Sequence, residues 1–222
     1  MPPRQEERLD LDLRYGYIRQ AQTRQPRLPG NLRQLGAVGA AVPPPPPGSR
    51  QTVVKVWVAR PSTTGAHLRY LQQGKGREGQ DATLFGPQGL DVTRFRREAG
   101  QDPHQFRLVI APTQATPRLL QPLVQDLLRQ AERDVRRPLD WVAAIHQDTA
   151  HVHAHVLLRG RDREGQPLYI AKPYLTQGLR DRVRTLATWY LGREPATERT
   201  QERLRAIERD LAKDRRLDGW ER

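Results

Sequence analysis

The stretch WVAAIHQDTAHVHAHVLLRG, residues 141–160, contains four of the six histidines of this 222-residue chain, all within ten residues. From residue 151 to residue 156, histidine alternates with small or branched apolar residues. Alternation by two is the period of a β-strand, so His151, His153 and His155 are expected on one face and the apolar residues on the other. We therefore predict a strand whose apolar face packs in a core while the opposite face carries a row of imidazoles.

The segments around this strand predict the rest of the fold. DWVAAIH (140–146) is a second strand, which must be antiparallel because six or fewer residues join the two. TVVKVWVA (52–59) and HQFRLVIA (104–111) are typical of strands, and PLYIA (167–171) of an edge strand. Helical periodicity predicts helices at 117–136, 174–191 and 197–213, with shorter ones after residue 62 and at 91–99. The predicted fold is α+β, an antiparallel sheet with a central histidine-bearing strand and helices packed on its apolar face in a two-layer sandwich.

The composition shifts twice along the chain. Residues 1–50 are rich in Arg, Gln, Pro and Gly and end in five consecutive prolines at 43–47, so we predict a flexible basic arm with a stiff polyproline spacer. Residues 51–192 are expected to form the folded domain, and residues 193–222 a charged C-terminal helix. No run approaches the roughly 18 apolar residues of a membrane span, and no secretory signal is present. The sequence predicts a soluble cytoplasmic protein without membrane insertion.

Charge and cysteine content limit the classes of function. With 38 Lys and Arg against 25 Asp and Glu, the formal net charge is +13, which predicts attraction to a polyanion, most commonly nucleic acid. The chain has no cysteine, which excludes disulfides and thiolate metal sites. A metal ion would have to be held by imidazole, carboxylate or water.

The histidine cluster is accordingly the main candidate for a metal site. Alternate strand residues lie about 6.6 Å apart, close enough for two rings to converge on one ion, and His146 at the end of the preceding strand is the natural third ligand. Two registers remain open at this point. A tight hairpin favours His146, His151 and His153, whereas a wider connection through 147–152 places His146 beside His153 and His155.

The segment IHQDTAHVHAHVLL resembles the third motif of conjugative relaxases, single-tyrosine nucleases of the HUH endonuclease superfamily. His146 and Asp148 fit the leading pair of that motif and His153 and His155 its final pair, while Val152 replaces the family proline. The segment LLRGRDREGQPLYIA fits the branch of relaxases in which RGRD and a short strand follow. The resemblance implies the wide register and a divalent ion, Mg²⁺ or Mn²⁺, on His146, His153 and His155. It leaves Asp148 to orient a ligand ring and His151 as an auxiliary neighbour.

The same resemblance implies a nucleophile. Relaxases place a tyrosine on a helix after the first strand, and HLRYLQQ (67–73) is similar to that motif, which makes Tyr70 the candidate. His67, one turn earlier, is a candidate for proton transfer or phosphate binding. The second relaxase motif normally follows a strand with a serine, and FRLVIAP carries Ala111 there, so the substrate contact is expected from the backbone or from Thr113.

The implied function is strand-specific nicking and religation of DNA at the origin of transfer of a plasmid or conjugative element, through a 5′-phosphotyrosine. The partners that the resemblance implies are single-stranded DNA, an accessory DNA-binding protein and a coupling ATPase. It also implies a bacterial cytoplasmic protein that is transferred while covalently attached to the DNA. The candidate DNA-backbone contacts are arginines around these motifs, namely Arg69, Arg77, Arg94, Arg96, Arg97, Arg159 and Arg161.

Three other functions share some of these features. A replication initiator or transposase of the same superfamily would use a tyrosine on the C-terminal side, and Tyr169, Tyr174 and Tyr190 are the candidates. A three-histidine metal hydrolase would use a metal-bound hydroxide and no tyrosine. A non-catalytic DNA-binding accessory protein would need neither a metal-bound hydroxide nor a tyrosine nucleophile.

Overall fold

A computed structural model describes residues 39–73, 81–194 and 196–213, which fold around one four-stranded antiparallel sheet. The strands are β1 (Thr52–Ala59), β2 (Gln105–Pro112), β3 (Trp141–His146) and β4 (His153–Arg159), in the spatial order β1-β2-β4-β3. The α-helices of the described residues are α1 (Thr64–Gln73), α2 (Val92–Ala99), α3 (Pro117–Val135), α4 (Leu179–Leu191) and α5 (Glu198–Lys213). A 3₁₀ turn (Pro61–Thr63) precedes α1, and a π-helical segment (Tyr174–Gly178) precedes α4. The predicted α+β class is confirmed. In this part of the chain no helix is both long enough and apolar enough to cross a bilayer.

Strand alternation sorts the side chains of the sheet onto two faces. One face, which includes Ile110 and Val156, packs against Leu123 and Leu127 of α3 and Leu186 of α4, as the apolar pattern predicts. The other face carries His153 and His155 but also a second apolar cluster, which α1, α2 and α5 cover. The histidine face is therefore buried as well, because apolar residues share it with the imidazoles.

The register between β3 and β4 decides which histidines meet. His146 pairs with His153, and Ala144 pairs with His155, so the wide connection through residues 147–152 is confirmed. His151 lies in this connection, and the prediction that it shares a strand face with His153 and His155 is wrong. The hydroxyl of Thr149 accepts from the N–H of His151 and donates to its carbonyl, which holds these groups in a local turn instead of the β-ladder.

Two further segments differ from the sequence prediction. Residues 167–171 form no strand, because Pro167 makes only an isolated bridge with Arg161. Residues 39–50 pack against the domain, although the sequence predicts a separate arm up to residue 50. The guanidinium of Arg50 donates to the carbonyls of Thr113, Leu191 and Gly192, which ties the proline-rich segment to the end of α4. The remainder of the predicted arm, residues 1–38, lies outside the described residues.

A buried ionic network closes the end of β4 that lies away from the histidines. Arg159, 5% exposed, donates twice to Asp102 (3.0 and 2.9 Å) and also to Glu98 (2.5 Å) and Asp140 (3.1 Å). These carboxylates outweigh the cost of burial and raise the pKa of Arg159 above its usual value. Its predicted role as a DNA contact is therefore wrong, since three carboxylates hold its guanidinium inside the fold.

Replacing Arg159 with leucine is expected to destabilise the protein by about 3–5 kcal/mol, because the carboxylates would stay buried without their cation. Urea unfolding followed by circular dichroism measures this change. Arg97→Leu is the matched control, because Arg97 is 69% exposed and its loss should change the free energy of unfolding by less than about 0.5 kcal/mol. Equal effects of the two substitutions would contradict a structural role for the network.

Candidate metal centre

Three histidines meet where β3 ends and β4 begins. His146, His153 and His155 are buried, and one nitrogen from each ring lies within 4.8 Å of the others. Their ring centroids are 4.4 Å apart for His146 and His155, 4.9 Å for His153 and His155, and 5.6 Å for His146 and His153. These are the three residues predicted to hold a metal, and the structure brings them together.

Main-chain carbonyls fix the orientation of two of the rings. The Nε2–H of His146 donates to the carbonyl of Leu71 (3.0 Å), and the Nδ1–H of His153 donates to the carbonyl of His151 (2.9 Å). A carbonyl only accepts, so the second nitrogen of each neutral ring carries the lone pair that ligation requires. A ligand histidine whose other N–H is held by a carbonyl is the usual arrangement at protein metal sites.

The electrostatics of the cluster also suit a metal ion. Burial, together with the neighbouring rings of His153 and His146, lowers the pKa of His155 well below its ordinary value. His155 is therefore neutral at pH 7, and a neutral imidazole is the form that binds metal. Three imidazole nitrogens fit a divalent metal ion of borderline softness. Asp148, predicted to orient a ring, lies exposed on the connection, and the carbonyls of Leu71 and His151 supply that contact.

Tyr70 lies against this cluster, although 76 residues separate it from His146 in the sequence. Its hydroxyl is 3.2 Å from Nε2 of His155, and its ring centroid lies 5.3 Å from His146 and 5.2 Å from His155. Helix α1 positions it, because Leu68 and Leu71 pack in the core of the histidine face and turn Tyr70 toward the sheet. The site thus combines a tyrosine hydroxyl with three imidazoles.

A buried arginine completes this side of the site, and the sequence analysis missed it. Arg107 lies on the histidine face of β2, two residues from Val109, which pairs with His155. Its guanidinium donates to the hydroxyl of Thr63 (2.5 Å), and burial lowers its pKa to about 10, so it stays charged at neutral pH. The alternation in HQFRLVIA places Arg107 on the face opposite Phe106, Leu108 and Ile110. The sequence does not show that β2 lies next to β4, so it does not show that Arg107 is near the histidines.

His67, predicted as an auxiliary residue, lies beside Tyr70 on α1 and feels the charge of Arg107. Its ring stacks on Tyr70 with centroids 5.8 Å apart. Burial, and then the charges of Arg107 and His146, lower the pKa of His67 well below its usual value. His67 is neutral at pH 7, so it offers an N–H or a lone pair and no positive charge.

Some of the other arginines predicted to contact DNA are exposed, and others bind groups within the protein. Arg69, Arg96 and Arg97 are exposed on α1 and α2, whereas Arg94 binds Glu98 and Arg161 donates to the carbonyl of Gly165. Arg77 lies outside the described residues. His151 adjoins α5, with its Nε2 3.5 Å from a carboxylate oxygen of Asp210.

The segment FRLVIAP (106–112) and the Thr113 that follows it offer no hydroxyl to a substrate. Ala111 is buried on the histidine face of β2. The hydroxyl of Thr113 is buried and donates to the carboxylate of Glu194, with the carbonyl of Gln51 3.1 Å away. The expectation that Thr113 contacts the substrate is therefore wrong.

The alternative tyrosines lie elsewhere. Tyr174 is buried and donates to Asp134 (2.8 Å), which also binds Arg182, and burial raises the pKa of Tyr174 well above its usual value. Tyr190 donates to Asp126 (2.5 Å). Tyr169 packs near His104, which precedes β2 at the end of the sheet away from His153. None of these three tyrosines shares the histidine face with Tyr70.

Comparison of the chain with models of known protein families and with curated proteins finds no match.

Calorimetric titration with Mn²⁺ is expected to show one ion per chain. His153→Gln should lower the affinity by at least about 100-fold, since even the loss of an outer hydrogen-bond partner costs up to that much. His104→Gln is the matched control, because this half-buried histidine binds the carbonyl of Leu168 and lies outside the cluster. Unchanged binding in His153→Gln, or an equal loss in His104→Gln, would contradict the site.

Proposed function

We propose that the protein is a metal-dependent DNA nickase of the relaxase type, which cuts and rejoins one strand at an origin of transfer through a phosphotyrosine. The observation that carries this proposal is the Tyr70 hydroxyl, 3.2 Å from a member of a buried three-histidine cluster. A hydrolase that attacks with a metal-bound hydroxide needs no tyrosine nucleophile. The net charge of +13 supports a polyanionic substrate.

In the proposed reaction the Tyr70 oxygen attacks the scissile phosphorus of single-stranded DNA. A bond forms between the Tyr70 oxygen and phosphorus, and the bond from phosphorus to the 3′ oxygen breaks. The tyrosine loses its proton and the departing strand ends in a 3′ hydroxyl, so protons and charge balance. When bound on His146, His153 and His155, a divalent ion supplies charge withdrawal from a non-bridging oxygen. The phosphotyrosine retains the bond energy, so the reverse attack rejoins the strand.

The residues around Tyr70 are suited to hold it for attack. Helix α1 fixes its direction through Leu68 and Leu71, and the ring packs against three imidazoles. A reacting group held in position avoids the entropic cost of a bimolecular encounter. Because the site is buried, charges within it interact more strongly than in water.

Arg107 is the proposed phosphate contact of the site. Its charge lies on the same sheet face as His155 and acts on the neutral ring of His67, which stacks on Tyr70. A guanidinium matches two phosphate oxygens with parallel N–H groups and keeps its charge as the phosphate becomes more negative. This contact would replace the hydroxyl that Ala111 lacks.

The donor set bears on the identity of the ion. Three imidazole nitrogens suit Mn²⁺ and the later first-row metals, whereas Mg²⁺ prefers oxygen ligands and water. Of the two ions that the sequence predicts, we propose Mn²⁺ as the better match for this cluster.

Tyr70→Phe is expected to abolish the covalent adduct with a labelled single-stranded origin oligonucleotide in Mn²⁺, because no oxygen remains to attack. DNA affinity and Mn²⁺ affinity should stay near those of the wild type. A denaturing gel detects the adduct, and Tyr169→Phe is the control that should form it normally.

The same pair of variants separates the alternative functions. An adduct that survives in Tyr70→Phe and disappears in Tyr169→Phe would indicate an initiator or transposase that uses a later tyrosine. DNA binding without cleavage in the wild type would indicate an accessory protein, and either result would overturn the proposal.

Arg107→Gln is expected to slow adduct formation by about 100- to 1,000-fold, the usual loss when one donor to a transition-state oxyanion is removed. Mn²⁺ affinity should be unchanged, which distinguishes a phosphate contact from general damage to the site. Arg107→Lys keeps the charge without the paired N–H groups and should be intermediate in rate. Wild-type cleavage by Arg107→Gln, or a parallel loss of Mn²⁺ binding, would contradict this role.

A further inference from the structure

The reacting groups of the histidine site are buried. Tyr70 is 5% exposed, His155 is 1% exposed, and His146 and His153 are completely buried. A strand of nucleic acid is much wider than any opening that such burial leaves. It can bring a phosphate to the Tyr70 oxygen only if part of the protein moves aside.

Helix α5 is the element that crosses the histidine end of the sheet. Near its start Arg203 donates to Glu194 (2.9 Å), which lies 3.7 Å from Arg50, two residues before β1. Near its end Asp210 lies 3.5 Å from His151, two residues before β4. Because β2 separates β1 from β4, the helix crosses two strand spacings, roughly 10 Å, which matches the rise of about seven helical residues. The helix therefore lies across the strands at the end where the triad is located.

The attachment of α5 to the sheet is narrow. Of its described side chains, Thr200, Ile207 and Leu211 are buried, and Leu204 is half-buried between them. These positions, three or four residues apart, form a single stripe, and most of the remaining residues are charged. A helix held by so few buried contacts belongs to the part of a fold that opens most easily.

The sheet face that α5 covers also carries groups suited to a nucleic acid strand. Lys55 of β1 pairs with Val109, which in turn pairs with His155, so all three share this face. Trp57, the next residue of β1 on the same face, pairs with Arg107. Lys55 and Trp57 are both partly exposed, and Lys55 forms no ion pair within the described part of the chain. Cations for phosphates and an aromatic ring for base stacking are the combination that binds single strands.

We propose that α5 is a lid on this face, and that single-stranded DNA takes its place when the strand reaches Tyr70. The N–H of Glu194 donates to the carbonyl of Gly48 (3.1 Å), which anchors the chain just before the lid. The far end contacts the β3–β4 connection through Asp210 and His151. The lid lifts at this far end and stays attached near Glu194. This inference rests on the proposed function, because a polymeric substrate is what requires the covered face.

A reversible cross-link tests the lid, and the absence of cysteine from the chain makes the cross-link specific. In His151→Cys/Asp210→Cys, a short bifunctional methanethiosulfonate reagent ties α5 to the β3–β4 connection, while the main-chain carbonyl that orients His153 is kept. Fluorescence anisotropy with a single-stranded oligonucleotide in EDTA should show at least about 10-fold weaker binding, because the binding-competent fraction falls. Dithiothreitol should restore the affinity.

The control cross-link joins two side chains at the other end of β4. Glu132→Cys/Arg163→Cys replaces an ion pair of 2.7 Å between α3 and the turn after β4, and the same reagent should leave DNA binding unchanged. Equal affinity of the linked and reduced forms of His151→Cys/Asp210→Cys would overturn the inference, as would an equal loss in the control.

Ile207→Ser/Leu211→Ser weakens the lid instead, and its expected effect is opposite in sign to that of damage to the core. Loss of the two buried side chains favours the open state, so the oligonucleotide should bind about 10-fold more tightly in EDTA, because the binding-competent fraction rises. The free energy of unfolding should fall at the same time. Affinity that is unchanged or weaker would show that α5 is part of the core and would overturn the inference.

A chelator assay separates the lid from the proposed nicking. The protein is loaded with Mn²⁺ and mixed with excess EDTA, and electron paramagnetic resonance follows the release of the ion. The cross-link between α5 and the β3–β4 connection should slow the release severalfold, and Ile207→Ser/Leu211→Ser should speed it. Equal release rates in all forms would overturn the lid and leave the proposed nicking intact. Gated release in a protein that forms no DNA adduct would support the lid and overturn the proposed nicking alone.

Discussion

The candidate site depends on the pairing of His146 with His153 across β3 and β4. Side chains alternate along a strand, so a slip of one residue would turn His153 and His155 into the core of α3 and α4 and bring Ala154 to their place. The packed apolar residues of that core, among them Val156, hold the register. Geometry at the histidines is therefore set by hydrophobic packing on the opposite side of the sheet.

A backbone carbonyl of helix α1 is joined to this register by a hydrogen bond. The carbonyl of Leu71 accepts from His146, and Leu71 is the residue after Tyr70. This hydrogen bond fixes the tautomer of His146 and, together with the packing of Leu68 and Leu71, holds Tyr70 against the sheet. Leu71 is completely buried, so water does not compete for this carbonyl. The position of Tyr70 relative to the histidines is therefore maintained.

The parts of the fold that sequence analysis predicts are those that depend on local pattern or on a resemblance in motif. β1 is predicted at both of its ends because TVVKVWVA is bounded by clear turn signals, and the triad and Tyr70 follow from the resemblance to the relaxase motifs. Arg159 is assigned wrongly because its partner Asp102 lies 57 residues away. His151 continues the alternation in sequence, yet the Thr149 hydroxyl removes it from the strand. Arg107 is missed because its neighbours are known only once the strand order is known.

The contacts of Arg50 show that the folded unit begins before the first strand. Its guanidinium gathers the main-chain carbonyls at the end of α4 and the carbonyl of Thr113 after β2, and it lies 3.7 Å from Glu194. Glu194 in turn binds Arg203 of α5, the helix that covers the histidine face. Arg50, two residues before the first strand, thus belongs to a chain of contacts that reaches the helix covering the histidine face. Proteolytic removal of the residues before Gln51 would therefore take away a contact that connects α4, β2 and α5, although the sheet itself would stay intact.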